Sequence, residues 1–219
     1  MAEGIDWAGI ITAIGALIGA IGGIYAIWTK FHQDEHNKLT DWKLEQYRKQ
    51  EQERGFQRAE NTGKVLGELY QVLLTTGADR VYIVQPHPLG HIAFLSIQFE
   101  VKAKGVEGMR MYVQKLEMSE VPLFSKMMAE KLFMYFDDID NQMEDRVAKS
   151  LLSSNGTKVA AVKRMNSSRD WVGSIFCEFM EDPKISQEEI KKAMHEAAIN
   201  IQFNLPEFQG DIDLNKFNK

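Results

Sequence analysis

The sequence predicts an α+β protein: an antiparallel sheet flanked by N- and C-terminal helices, preceded by one transmembrane helix and a helical stalk. Three observations lead to this prediction. One segment near the N-terminus has no charge, a polar segment without proline follows it, and the remainder alternates between helical and strand periodicity. We therefore divide the chain into a transmembrane anchor (1–30), a helical stalk (31–60), a folded domain (61–204) and a C-terminal tail (205–219).

The composition of the 219 residues excludes several classes of protein. Charged residues make up 26% and hydrophobic residues 44%, which is the balance of a folded chain. A mean hydropathy of -0.30 excludes a transporter with many spans. The net charge of -5 argues against nucleic acid as a partner, since such binding depends on a basic surface. The single cysteine cannot form an internal disulfide.

The uncharged segment is Trp7–Trp28, WAGIITAIGALIGAIGGIYAIW. As a helix it would be about 33 Å long, enough to cross a hydrocarbon core of about 30 Å. Aromatic residues mark both ends, as is typical of membrane interfaces. The residues before it are acidic, unlike the basic start of a secretory signal. We therefore expect a single-pass membrane protein whose partner is the lipid bilayer; a buried core helix is the competing interpretation.

Lysine and arginine residues flank this segment on one side only. None precedes it, and several follow within about twenty residues, which predicts that the C-terminal domain is cytoplasmic. These residues are Lys30, Lys38, Lys43, Arg48 and Lys49.

Gly15, Gly19 and Gly23 form a GxxxGxxxG pattern in the predicted membrane helix. Glycines four residues apart share one helix face and allow two backbones to approach closely. This pattern predicts a homo-oligomer, most simply a homodimer, although glycine is common in membrane helices generally. The stalk that follows is rich in Gln, Glu, Lys and Arg. It is predicted to be helical and to pair as a coiled coil over its first half, but its apolar residues are too sparse for a sustained seam.

The folded domain begins with a helix that ends in the turn TTGAD. A strand, Arg80–Pro86, is predicted to end at the turn HPLG, and a second strand follows at His91–Val101. In this second strand every odd-numbered residue is apolar, which predicts one deeply buried face. That set is Ala93, Leu95, Ile97, Phe99 and Val101.

The rest of the domain is predicted as a middle segment, a strand hairpin and a last helix. Ser186 and Glu189 have the spacing of a capping box, which marks the start of that helix. We expect the first and last helices on one face of the sheet and the middle segment over the other. The remaining predicted elements are a short strand at 109–117, helices at 122–137 and 143–153, strands at 158–165 and 171–180, and the helix from 186 to 201.

Several of these segments together resemble a known domain family. The helix ending in GADRVYIVQ, the strand after it and the run KVAAVKRMNSSRDWVGSIFCEFMEDPKISQEEIKKAMHEAAINI are similar to a GAF domain over about Asn61–Asn204. Related sensor folds such as PAS contain similar elements. The resemblance implies a module that binds a small molecule between the sheet and the inserted segments, or that dimerises.

The resemblance also implies which residues would bind a ligand on the side away from the terminal helices. The competing interpretation is that they only pack beneath the middle helices. These residues are Tyr82, Phe94, Ser96, Gln98, Ser174 and Phe176.

Several chemistries are not expected. Bilin-binding relatives use a cysteine next to a histidine in the inserted region, but Cys177 lies within a predicted strand, so we expect a buried thiol and no attached cofactor. The sequence has no match to the cyclic-nucleotide motif. The acidic run 137–145 lacks the glycine of an EF-hand, and the histidines of HPLGH are expected to lie in an exposed turn, so no metal site is predicted. No nucleophile with a base and no phosphate loop is evident, so we do not expect an enzyme.

These expectations combine into one functional hypothesis. The chain would be a membrane-anchored cytosolic sensory or scaffolding module without a catalytic output domain, acting through a protein partner or its own assembly. The alternative is a phage holin-like, or other oligomerising, membrane protein whose globular domain regulates assembly.

Overall fold

The structure is a computed structural model that describes residues 7–89, 91–167 and 170–206, without most side chains of residues 7–40. The chain divides into two compact units, Met1–Phe56 and Gln57–Lys219. A helix, α1, runs Trp7–Thr76 and so begins in the first unit and ends in the second. The side chains from Asp41 to Glu60 are all exposed, which agrees with the polar composition of the stalk.

Within the described part of the chain, no helix has the length and apolarity needed to cross a membrane. Most side chains of the predicted membrane segment, Trp7–Trp28, lie outside the described residues.

The second unit contains a six-stranded antiparallel sheet in the order β3-β2-β1-β6-β5-β4. The last helix opens with the predicted capping box, in which the Ser186 hydroxyl accepts a hydrogen bond from the Glu189 amide. The elements are β1 (Arg80–Leu89), β2 (Ile92–Lys102), β3 (Leu116–Glu117), α2 (Pro122–Glu130), β4 (Phe133–Phe136), α3 (Ile139–Gln142), α4 (Arg146–Ser154), β5 (Val159–Ser167), β6 (Asp170–Phe179) and α5 (Gln187–Gln202).

Each face of this sheet covers its own hydrophobic core. On one side, which we call the helix face, the end of α1 and all of α5 pack on the strands through residues such as Leu69 and Met194. On the other side, the insert face, residues 103–158 pack on the strands; we call this segment the insert. Phe124, Met128 and Leu152 are among its buried residues. The predicted arrangement, with terminal helices on one face and the middle segment on the other, is confirmed.

The prediction that one apolar row runs the length of β2 is wrong. The register between β1 and β2 shifts between Ile83 and Val84, which leaves Gln98 as the extra residue of a β-bulge. Because a bulge inverts the alternation, Phe99 packs on the helix face while Ile97 packs on the insert face. The apolar row therefore serves two cores.

The predicted helix from residue 122 to 137 is also wrong. It ends at Glu130, and Phe133–Phe136 forms the edge strand β4, paired with β5. Its residues FMYF alternate between the two faces, with Met134 and Phe136 buried on the insert face. Aromatic residues favour this pleated, half-buried position over a helix.

Three boundaries differ as well. Strand β1 continues through both prolines to Leu89; beyond Val84 it pairs only with β2, so a proline that lacks an N–H leaves no partner unsatisfied. Strand β3 has only two residues. The helix predicted at 143–153 begins three residues later, as α4, and the acidic run before it contains the separate short helix α3; Asp145 and Asp138 cap these two helices through their carboxylates.

Replacing Leu69 by alanine should lower the free energy of unfolding by about 2–5 kcal/mol, because the side chain is fully buried in the helix-face core. Replacing Leu74, which lies in the same helix but is 76% exposed, should change it by less than about 0.5 kcal/mol. Urea unfolding followed by circular dichroism would measure both. Equal losses for the two variants would contradict this packing of α1.

Candidate functional site

The insert face of the sheet presents three successive cross-strand rows of side chains. The first row contains a charged pair, the second is mainly apolar, and the third ends in an arginine. From the strand register these rows are Arg80, Glu178, Ala160 and Phe136; then Tyr82, Phe176, Val162 and Met134; then Ile97, Val84, Ser174 and Arg164.

The charged pair in the first row is completely buried. Arg80 and Glu178 have side-chain exposures of 0% and 1%, and Arg80 Nη2 lies 2.6 Å from Glu178 Oε2. The Arg80 Nε donates to the same oxygen at 3.0 Å. Burial of such a pair is tolerated only when its remaining hydrogen-bonding groups are also satisfied.

Arg80 meets that condition by binding two loops of the insert. Its Nη1 donates to the carbonyl of Glu107 at 3.0 Å, and its Nη2 donates to the carbonyl of Asn155 at 3.1 Å. The same nitrogen donates to the hydroxyl of Thr157 at 2.8 Å, which in turn donates to Glu178. One guanidinium group therefore joins the sheet to both ends of the insert.

Tyr82 connects this pair to the second row. Its hydroxyl donates a short hydrogen bond to Glu178, and its ring stacks on Phe176 with centroids 5.0 Å apart. Burial, and then the Glu178 charge, raise the pKa of Tyr82 well above its ordinary value. The phenol is consequently a permanent donor to Glu178 under physiological conditions.

An apolar cavity of about 30 Å³ lies over the second row, beneath α2 and α4. Among the described residues that line it, only Tyr82 is polar, and its hydroxyl is occupied by Glu178. Val147 of α4 lines the cavity and is 39% exposed, so this end lies close to solvent. The other lining residues are Val84, Leu95, Val113, Leu116, Val121, Phe124, Met128, Ala148, Leu151, Leu152 and Phe176.

The volume limits what this cavity can hold. It corresponds to roughly two water molecules, while a site for a drug-sized ligand has about 300 Å³ or more. Phe124 contributes to its small size, because its ring contacts Phe176 edge-on with centroids 5.9 Å apart. A larger ligand could enter only if α2 or α4 moved away from the sheet.

The structure brings three of the six residues implied by the GAF resemblance onto the insert face. Tyr82 and Phe176 line the cavity, and Ser174 lies one row further along. Gln98 is the bulge residue, and its buried Oε1 has no hydrogen-bond partner in the part of the chain that the structure describes.

Phe94 and Ser96 lie on the opposite, helix face, so their expected placement is wrong. The bulge at Gln98 is the reason, because Leu95 and Ile97 occupy the insert face on this side of it. Phe94 stacks on His87, and the Ser96 hydroxyl lies 2.9 Å from His87 Nε2.

The remaining candidates give no reactive centre among the described residues. His87 is buried, contrary to the exposed turn that we expected. Cys177 is buried on the helix face as expected, and burial raises the pKa of its thiol to about 12. No group of three or more His, Cys, Asp or Glu side chains suited to a metal is found in the described part of the chain.

Sequence reasoning missed the Arg80–Glu178 pair, although a signal was present. Each residue is the one charged residue in a mainly apolar strand segment: Arg80 begins RVYIV, and Glu178 is the middle residue of FCEFM. An ionisable residue within such a strand is almost never buried without a partner, so two of them in neighbouring strands indicate a pair.

No protein-family model matches the sequence, and no curated protein matches it. The fold, however, is similar to GAF domains of known structure. The PixJ GAF domain of Thermosynechococcus elongatus, in its blue-light-absorbing form, has 12% identity and a TM-score of 0.52, covering 67% of this chain and 88% of that chain.

Two further structures are similar. A GAF domain from Synechocystis sp. in its photoproduct state has 10% identity and a TM-score of 0.54, over 65% of this chain and 90% of that one. A GAF domain/HD domain protein from Geobacter sulfurreducens has 12% identity and a TM-score of 0.50, and the match covers 67% of this chain and 95% of that chain. The folded domain therefore has the antiparallel, GAF-like α+β fold that the resemblance predicted.

Replacing Arg80 by methionine should cost about 3–5 kcal/mol of unfolding free energy, because it leaves Glu178 buried without its counter-ion. Replacing Glu178 by leucine should cost a similar amount. The double variant should lose at least about 2 kcal/mol less than the sum of the two. Denaturant titration of all three variants would measure this coupling.

Lys158 and Asp182 provide the matched control, since they form an ion pair that is largely exposed. Replacing Lys158 by methionine should hardly change the midpoint of unfolding. Strictly additive losses for Arg80 and Glu178 would contradict the proposed pairing.

Proposed function

We propose that this chain is a membrane-anchored sensory or scaffolding module whose GAF-like domain binds a small molecule and passes the change to a partner or to its own assembly. The observation that carries the proposal is the apolar cavity on the insert face. It lies between the sheet and the segments that cover it, as in the ligand site that the GAF resemblance implies.

Ligand binding at this cavity would be coupled to movement of the insert. A molecule larger than about two waters must displace α2 or α4, because apolar side chains fill the remaining space. A ligand shifts a conformational equilibrium by its difference in affinity for the two states. The closed cavity and a more open one are the two states that we propose for this domain.

The ligand would not be a covalently attached chromophore. The PixJ and Synechocystis domains are described by their light-absorbing or photoproduct states. In this chain the single cysteine, Cys177, is fully buried on the helix face, opposite the cavity. A non-covalent ligand therefore suits the site better.

The proposed anchor is the uncharged segment Trp7–Trp28, with the C-terminal domain in the cytoplasm. Gly15, Gly19 and Gly23 are exposed, and a Cβ atom at each would meet no described atom within 4 Å. Their four-residue spacing supports contact with a second copy and a homo-oligomer through the membrane helix and stalk, since stacked glycines let two helix backbones approach closely.

A small molecule should co-purify with the full-length protein, and filling the cavity should remove it. Val147→Phe adds volume to the lining from a partly exposed position, so the fold should tolerate it. Mass spectrometry of denatured extracts should show at least a tenfold lower content of the bound molecule. Leu132→Phe, at a residue that is 61% exposed and outside the cavity lining, is the control. An equal content of the bound molecule in the wild-type protein and both variants would refute the site.

Removing residues 1–30 should move the protein from the membrane fraction to the soluble fraction, whereas removing the tail, 205–219, should not. A fluorescent protein fused after Lys219 should be bright, and alkaline phosphatase at the same point should be inactive, since both report a cytoplasmic C-terminus. Active phosphatase would favour the holin-like alternative. Full-length protein that stays soluble without detergent would exclude the anchor.

A further inference from the structure

Arg164 ends the third row of the insert face. It lies in β5, where it pairs across the sheet with Ser174 of β6. No hydrogen bond or ion pair joins its guanidinium group to any residue that the structure describes, and its Nε is buried. Burying part of a charged group without a counter-ion is unfavourable, so this arrangement requires an explanation.

A second polar group beside Arg164 can donate to a ligand. Ser174 lies directly across from Arg164, and its hydroxyl accepts from Trp171 Nε1 at 3.1 Å, which leaves its own proton available to donate.

This polar region adjoins the apolar cavity. Val84 lines the cavity and lies directly across from Ser174, which lies directly across from Arg164. Neighbouring strands are about 4.8 Å apart, so the backbone of Arg164 is about 10 Å from that of Val84. A short chain of carbon atoms would span this distance.

We infer that Arg164, with Ser174, recognises the carboxylate of a small amphipathic acid whose apolar part occupies the cavity. The inference rests on the proposed function of that cavity. A guanidinium group presents a planar fork of donors that matches a carboxylate, and a serine hydroxyl supplies a further donor. The ligand class is therefore a carboxylic acid with a compact apolar body.

The test compares 4-phenylbutyrate with 4-phenylbutyramide, which share the same body and differ in charge. Equilibrium dialysis of the full-length protein in nanodiscs of neutral lipid measures the affinity for each probe. Binding of the probes to empty nanodiscs is subtracted. The wild-type protein should bind the acid at least tenfold more tightly than the amide. Arg164→Gln should abolish this preference without weakening the amide, and Arg164→Lys should retain part of it because the charge remains.

Lys163→Gln is the matched control. Lys163 is the adjacent residue on the same strand, but it lies on the helix face, opposite Ile175. Removing the positive charge of Lys163 should leave the preference for the acid unchanged. An equal effect of Lys163→Gln and Arg164→Gln would overturn the inference, because it would reveal only a general attraction to positive charge.

Val147→Phe separates the failure of this inference from failure of the proposed function. If the wild-type protein binds acid and amide equally and the variant loses both, the carboxylate site is refuted while the cavity stands. If Val147→Phe binds both as tightly as wild type, the cavity itself is refuted. Binding of neither probe to the wild type would also overturn this ligand class.

Discussion

A buried guanidinium group must find acceptors for all of its donors, and in this domain Arg80 finds them in three separate parts of the chain. Glu178 supplies the charge, while the carbonyls of Glu107 and Asn155 belong to the beginning and the end of the insert. Neither carbonyl can leave without exposing a buried charge to an apolar environment. The insert is consequently hydrogen-bonded to the sheet at both ends. Between these ends, β3 and β4 pair with β2 and β5, whereas α2 and α4 contact the sheet through apolar side chains.

This difference determines which part of the insert can respond to a ligand. The covering helices α2 and α4 contact the sheet through apolar side chains such as Phe124, Met128 and Leu152. Apolar contacts are not directional, so these helices can shift and pack again at modest cost. The ends of the insert cannot, since their hydrogen bonds with Arg80 are directional. The opening of the cavity that we propose therefore involves α2 and α4, while hydrogen bonds hold the ends of the insert and its two edge strands in place.

Much of the fold could be predicted from the sequence, because the signals were local. The capping box at Ser186, the hairpin of β5 and β6 and the apolar helix-face residues of α1 each depend on neighbours within a few positions. The bulge at Gln98 could not be predicted, since it depends on the partner strand and changes which residues face the cavity. The insert was similarly difficult, because its contacts join residues far apart in the chain. The Asn155 carbonyl, for example, accepts a hydrogen bond from Arg80.

The three rows of the insert face also impose a direction on any ligand. At one end the Arg80–Glu178 pair is satisfied by protein groups and offers no unoccupied donor, so a charged ligand gains nothing there. In the middle, Phe176 and Val84 offer only apolar surface. At the other end Arg164 carries a charge that the described protein leaves unpaired. Since Arg164 could compensate an anion for lost hydration, the amphipathic acid that we propose would bind with its carboxylate at this end and its apolar part beneath α2 and α4. The residues proposed to select the ligand and those proposed to report its presence thus lie on different elements of the domain.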